Sequence, residues 1–173
     1  MVDPETLKIQ IRDAFSHVEY PGDHHLRGSD LGEEPYLLEA KFTGKTDWCV
    51  LDAEFIDQAP EGFGSALSFF SDEAFRFYLP AYLIADIDAL LNQSTPVFHL
   101  CRGFDNESHH ERINPRLYNE RTWNDYARDR FGKFTSIEAA AIVGYLQFVR
   151  ERDEFDRPMI DQALKTHWLE RAT

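Results

Sequence analysis

Apolar side chains along this chain recur at helical spacing, and the breaks between runs carry proline, glycine and capping residues. Leu7, Ile11, Ala14, Phe15 and Val18 form one stripe. Asp3 is placed to cap that helix, Pro4 suits the first helical position, and Glu5 favours the positive end of the dipole. Tyr20-Pro21-Gly22 stops it, and a polar connection through Asp23, His24, His25, Gly28 and Gly32 follows. A short helix is predicted from Pro35 to Phe42, ended by Gly44. Thr46 or Asp47 then caps a further helix with Trp48, Leu51 and Phe55 on one face, broken by Pro60 to Gly64.

Ser71-Asp72-Glu73 signals another start, leading into Ala74, Phe75, Phe77, Tyr78 and Leu79. Pro80 should end or kink this helix, because proline lacks the amide donor and clashes with the preceding turn. Residues 81–91 continue helically and are apolar nearly all round, which predicts burial. Residues 96–101 (Pro-Val-Phe-His-Leu-Cys) fit either a short strand or a helical turn, and residues 102–116 read as loop. Arg116 to Arg130 reads as one charged helix offering Leu117, Trp123 and Tyr126 for burial. Thr135 and Glu138 make a capping-box pattern ahead of Ile137, Ala141, Ile142, Tyr145, Leu146, Phe148 and Val149. Asp156 and Pro158 open a last helix with Ile160, Ala163, Leu164, His167 and Trp168 on one face. The expectation is a mainly α, single-domain helical bundle over residues 1–173, with room for one short strand pair.

Composition supports a packed core. With 14 Phe, 7 Tyr and 3 Trp in 173 residues, that core should be aromatic. Cys49 and Cys101 are too few for a disulfide framework or a four-thiolate metal site, and both lie in apolar stretches. They are expected to be reduced core residues, which points to the cytoplasm. The start Met-Val-Asp-Pro-Glu lacks the basic flank and apolar run of a signal peptide, and no apolar stretch approaches a membrane span.

Charge changes the picture more. The net charge is −13, and it is uneven: residues 1–74 hold 16 acids and 5 bases, and residues 75–173 hold 15 and 13. Such a field repels nucleic-acid phosphates and anionic lipid and attracts basic proteins. Arg102, Arg112, Arg116, Arg121, Arg128 and Arg130 form the one basic-rich stretch. They are matched by Asp105, Glu107, Glu111, Glu120, Asp125 and Asp129, which leaves no positive track for phosphates.

Candidate chemistry is sparse. Asp23-His24-His25 and His109-His110-Glu111 could approach in space and bind a divalent metal, although neither has the i, i+3 or i+4 histidine spacing of helical sites. The triplet Asp23-His24-His25 is similar to the signature of a phosphoesterase superfamily, but the alternating strand–helix pattern that superfamily needs is absent. No zinc-protease pattern, nucleophile elbow, P-loop or dinucleotide fingerprint occurs, and Gly62-Phe63-Gly64-Ser65 reads as a plain glycine turn. Asp86 and Asp88, like Asp52 and Glu54, diverge on a helix and make no acid–base pair.

The stretch Ala66 to Leu83, with Phe77-Tyr78-Leu79-Pro80-Ala81-Tyr82-Leu83 at its centre, resembles the central motif of an uncharacterised bacterial family with a domain-of-unknown-function label. Ala14-Phe15, the Trp48 segment, Phe134-Thr135 and the Trp168 helix extend the resemblance along most of the chain. It implies a bacterial origin and one helical fold, and it implies no activity. The leading expectation is a non-catalytic protein-binding module, of inhibitor or accessory type. It would use an acidic face (Glu33, Glu34, Asp52, Glu54 and Asp57) toward a basic partner, and it would need no cofactor. The alternatives are a metal-dependent hydrolase built on His24, His25, His109 and His110, and an oligomer that uses the apolar Phe69–Leu83 region as an interface.

Overall fold

The computed structural model of the protein describes residues 2–60 and 65–173. It is mainly α-helical with buried aromatic side chains. Among the described residues, extended pairing is limited to two isolated antiparallel bridges, Arg27 with Phe70 and Arg112 with Thr122. No helix among them is long and apolar enough to cross a membrane. The chain divides into two compact units, residues 11–96 and residues 2–10 with 97–173. Each has its own aromatic cluster.

In the first unit, residues 11–96, helix α1 (Pro4–Phe15) contributes its second half. Ile11, Ala14 and Phe15 are buried, as the stripe requires, whereas Val18 lies past the helix end and is half-buried. Helix α2 (Glu34–Phe42) ends at Thr43, and Gly44 follows with φ 76°. The segment expected to form one helix from Thr46 splits in two. Asp47 accepts from Cys49 N to hold a single 3-10 turn (Trp48–Val50), and Asp52 starts α3 (Ala53–Gln58) by accepting from Glu54 N and Phe55 N. Two capping aspartates five residues apart leave no room for a longer helix. That split turns Trp48 inward and Cys49 outward, so Cys49 is exposed rather than a core residue. The break expected at Pro60 to Gly64 and the turn Gly62-Phe63-Gly64-Ser65 lie outside the described residues, apart from Pro60 and Ser65.

Helix α4 (Asp72–Ile87) is capped by Ser71 through Ala74 N and does not end at Pro80. Proline removes one amide donor, but eleven of the sixteen residues are buried, and that packing outweighs the lost bond. The helix ends at Ile87, four residues before the apolar run does, and Ala89 takes φ 56°. Phe70 and Tyr78 stack at 5.1 Å, Phe42 meets both edge-on, and Phe42 also contacts Phe55 at 5.2 Å. Two buried tyrosines of α4 donate to backbone carbonyls, Tyr78 to Lys45 and Tyr82 to Ile56. Phe70, Phe75, Phe77, Tyr78, Leu79, Tyr82 and Leu83 are all buried in the folded chain.

Residues 96–101 resolve as helix α5 (Pro96–Cys101), which from Val97 on belongs to the second unit, and Cys101 is fully buried. The charged helix expected from Arg116 to Arg130 is two helices, α6 (Pro115–Tyr118) and α7 (Trp123–Phe131). A reciprocal capping box restarts the chain: Asp125 N donates to Thr122 Oγ1, and Thr122 N donates to Asp125 Oδ2. Asn119 between them takes φ 54°. Helix α8 (Ser136–Arg152) starts with the predicted box, in which Glu138 is completely buried while accepting from Thr135 N. Leu7 of α1 packs beside Gly144 of α8. Helix α9 (Arg157–Ala163) widens into a π-helical turn (Leu164–Trp168) that carries His167 and Trp168 into the core. Trp168 Nε1 donates to Leu100 O at 2.9 Å, and Phe104, Phe131 and Phe134 surround its ring.

Two glycines separate backbone strain from steric blockage. Gly103 has φ 91°, and a Cβ there would run into the Trp123 carbonyl and the Ala127 Cβ, whereas Gly44 has φ 76° with open space around it. Gly44→Ala should cost about 1 kcal/mol, from the left-handed backbone alone. Gly103→Ala should cost about 3 kcal/mol, because backbone atoms must also move. Urea unfolding of the two variants measures the difference, and equal midpoints would refute the close approach at Gly103.

Candidate functional site

The charge asymmetry of the sequence follows the two units. Residues 11–96 hold 16 acids and 5 bases, and the rest of the chain holds 15 and 13. In the second unit the opposite charges meet: Arg102 pairs with Glu111, Arg112 with Glu120 and Arg121 with Asp129. Three arginines of the matched basic stretch are therefore held in separate ion pairs. The first unit has too few cations to do the same, and it is where the candidate site lies.

Arg27 and Lys45, two of its five cations, are already engaged. Arg27 bonds both Asp30 and Glu39, and its guanidinium lies 4.5 Å from the centre of the Tyr36 ring. Lys45 sits over the Phe55 ring at 5.2 Å. Several carboxylates are occupied by the fold. Asp23 accepts from Tyr20 Oη and Gly44 N, which holds its carboxyl below the usual range, and Asp47 and Asp52 cap helical turns.

Of the five residues expected to form the acidic face, Glu33, Glu34, Asp52 and Glu54 are exposed. Glu33 and Glu34 stand at the start of α2, and Asp52 and Glu54 at the start of α3. Phe42, at the far end of α2, is the residue that touches Phe55 in the first turn of α3. The two acidic pairs are thus separated by about the length of α2, roughly 13 Å for nine residues. Glu33 occupies the N-cap position of α2 without making a side-chain bond, and neither it nor Glu34 forms an ion pair among the described residues.

Asp57 lies elsewhere. It is 5 % exposed, and its carboxylate accepts from the backbone N–H groups of Asn92, Gln93 and Ser94 at 2.8–2.9 Å. Burial works to raise its pKa, but the three N–H donors outweigh burial and hold it below the usual carboxylate value. Its position one turn into a helix gave no sign of this, because its three partners lie 35 to 37 residues away.

A family model described as a family of unknown function (DUF6714) matches residues 3–172. The chain belongs to that family. No curated protein and no solved structure matches it. The family assignment thus agrees with the resemblance to a family of unknown function, and it brings no catalytic residues to place.

The histidine pairs fall in different units. His24 and His25 form an exposed 3-10 turn (Asp23–His25), while His109 and His110 lie in the loop after α5 with their Nδ1 atoms 3.3 Å apart. Among the described residues, no group of three or more His, Cys, Asp or Glu side chains is arranged to hold a metal ion. In the second unit a cleft of about 410 Å³ is lined by Val2, Gln147, Phe148, Arg150, Glu151 and Leu164. Its one guanidinium, on Arg150, is bonded to Asp161. Ser108 is no nucleophile candidate, since its hydroxyl donates to Asp105 and accepts from Gly103 N.

Two predictions follow the placement of the titratable groups. Asp57→Asn should destabilise the protein by about 2 kcal/mol, the worth of charge-assisted bonds to backbone donors. Binding of cationic ligands should be unchanged, and a variant with normal stability and weakened binding would restore Asp57 to the surface site. The second concerns His99 and His167, whose pKa values burial pushes from 6.5 down to about 4, with Arg130 and Arg102, or Arg128 and Arg171, adding to the shift. Both are neutral in the native state where the unfolded chain takes up protons. Their contribution is therefore complete above pH 6.5 and is lost as pH falls toward 4, at up to about 1.4 kcal/mol per pH unit each. His167→Phe keeps a ring against Phe104 and should remove about half of that acid sensitivity, as read by urea unfolding across this range. An unaltered pH profile would count against it.

Proposed function

We propose that residues 11–96 form a protein-binding module that presents a negative surface to a basic protein partner, in the manner of an inhibitor or accessory subunit. The observation that carries this reading is the surplus of 16 acids over 5 bases in one compact unit, with Glu33, Glu34 and Glu54 exposed. Capping and internal bonding account for Asp23, Asp47, Asp52 and Asp57, but not for Glu33 and Glu34, while Glu54 accepts only from the exposed amide of Gln58 at 3.4 Å. A field of that sign speeds encounter with cationic surfaces and disfavours nucleic acid, whose phosphates it repels. We place the protein in a reducing cytoplasm, in a bacterium, a setting that the exposed, unpaired thiol of Cys49 suits.

The test uses the full protein and fluorescently labelled oligolysine. Affinity should fall steeply between low and physiological salt. Glu33→Gln, Glu34→Gln and Glu54→Gln should each weaken binding roughly twofold. Glu107→Gln and Glu170→Gln, in the balanced unit, should change little. Salt-independent binding, or equal effects from both sets of variants, would overturn the reading.

A further inference from the structure

Helix α2 is apolar on both of its sides. Pro35, Leu38 and Phe42 are buried, as one face of an ordinary surface helix. On the other side Tyr36 is 48 % exposed and Leu37 is 46 % exposed, with Ala40 also open to solvent. With Glu33 these residues stand at i, i+3, i+4 and i+7, so they form one continuous outward stripe across two turns. Leu31, just before the helix, is exposed too, at 54 %. Isolated exposed apolar side chains are ordinary, but a stripe at helical period is a packing surface.

Part of that stripe is already rigid. The Arg27 guanidinium lies on the Tyr36 ring and is itself held by Asp30 and Glu39, which limits the freedom of the tyrosine before any partner arrives. Preordered aromatic side chains lose little entropy on docking. Charge then selects the occupant. Glu33 and Glu34 flank the stripe at its start and are unpaired, and the whole unit carries the acidic surplus. A second copy of this chain would set two such surfaces against each other and be repelled. A cationic partner gains on both counts.

We propose that the outward stripe of α2 docks an amphipathic helix of the partner protein, with its apolar side on Tyr36 and Leu37 and its Lys or Arg residues toward Glu33 and Glu34. A convex, two-turn helix face packs most readily against the ridges of another helix. This inference rests on the acidic-module reading above, and adds to it which surface is used and what shape the partner has there.

The experiment compares two labelled peptides of identical Leu and Lys composition. One is ordered so that a helix segregates the two residue types, and the other is scrambled so that it does not. Electrostatics alone predicts equal affinity. The stripe predicts that the amphipathic peptide binds at least about tenfold tighter. It also predicts that Tyr36→Ser with Leu37→Ser abolishes the preference while both peptides keep their salt-dependent binding. Both positions are exposed, and circular dichroism of the double variant checks that the fold is kept. Amide shifts on adding the amphipathic peptide should cluster at residues 31–41. Equal affinities for the two peptides, a preference that survives the double substitution, or shifts centred elsewhere would each overturn the docking proposal and leave the acidic-module reading standing. Loss of all salt-dependent binding in the unmutated protein would reject both. A dimer in sedimentation that the double substitution dissolves would assign the stripe to a second copy and overturn the proposal.

Discussion

A helix leaves its first N–H groups without partners, and in a chain built from short helices that cost recurs every few residues. Here side-chain oxygens meet it at many of the starts. Asp3, Asp47, Asp52, Ser65, Ser71, Asn114, Thr122 and Thr135 each accept from a backbone N–H in the turn that follows. Asp57 does the same at longer range for residues 92–94. These bonds decide where helices begin, and therefore which apolar residues face inward. They also remove several acids from the set available for any other role.

The same constraint explains why some of the fold was legible in the sequence. Asp3, Ser71, and Thr135 with Glu138, sit directly before apolar stripes, so pattern and cap agree on the same boundary. Pattern and structure differ where caps lie inside a continuous helical pattern. Asp52 interrupts the run from Trp48 to Phe55, and Thr122 with Asp125 interrupts the run from Leu117 to Tyr126. In both places the capping residue was visible, but the periodicity on either side concealed the break. Pro80 shows the opposite case, a helix breaker overridden by the burial of nearly every neighbour on α4.

The candidate site was partly legible for a related reason. The excess of acids could be counted, but whether a given carboxylate faces solvent depends on partners remote in sequence. Asp57 went inward because three amides near residue 93 needed an acceptor. Arg27 could have been singled out as the lone cation between Asp23 and Glu39, yet its place over Tyr36 required the chain to turn back on itself. The outer stripe of α2 carried a local signal, since Tyr36 and Leu37 adjoin Pro35 and Leu38. A short apolar run reads as core from sequence, and the structure was needed to show that half of it is outside.

Helix α2 is also where the general solution to the helix-start constraint is missing. Its N-cap residue, Glu33, makes no side-chain bond to the first turn, and Pro35 removes one of the orphan donors instead. Glu33 and Glu34 therefore interact with the helix only through its dipole, and their oxygens remain open to other donors. Elsewhere in the acidic unit, Asp23, Asp47, Asp52 and Asp57 are already bonded to the chain. In the balanced unit, Glu111, Glu120, Asp129 and Asp161 are paired with arginines. Helix α2 thus starts with two acids released from both duties, Glu33 and Glu34, and its outer face is apolar. Mutual repulsion among the surplus carboxylates opposes the compact state of residues 11–96, and a bound cation would relieve it. Binding and stability in this unit are therefore coupled through the same charges, and a cationic partner that recognised α2 would also stabilise the fold that presents it.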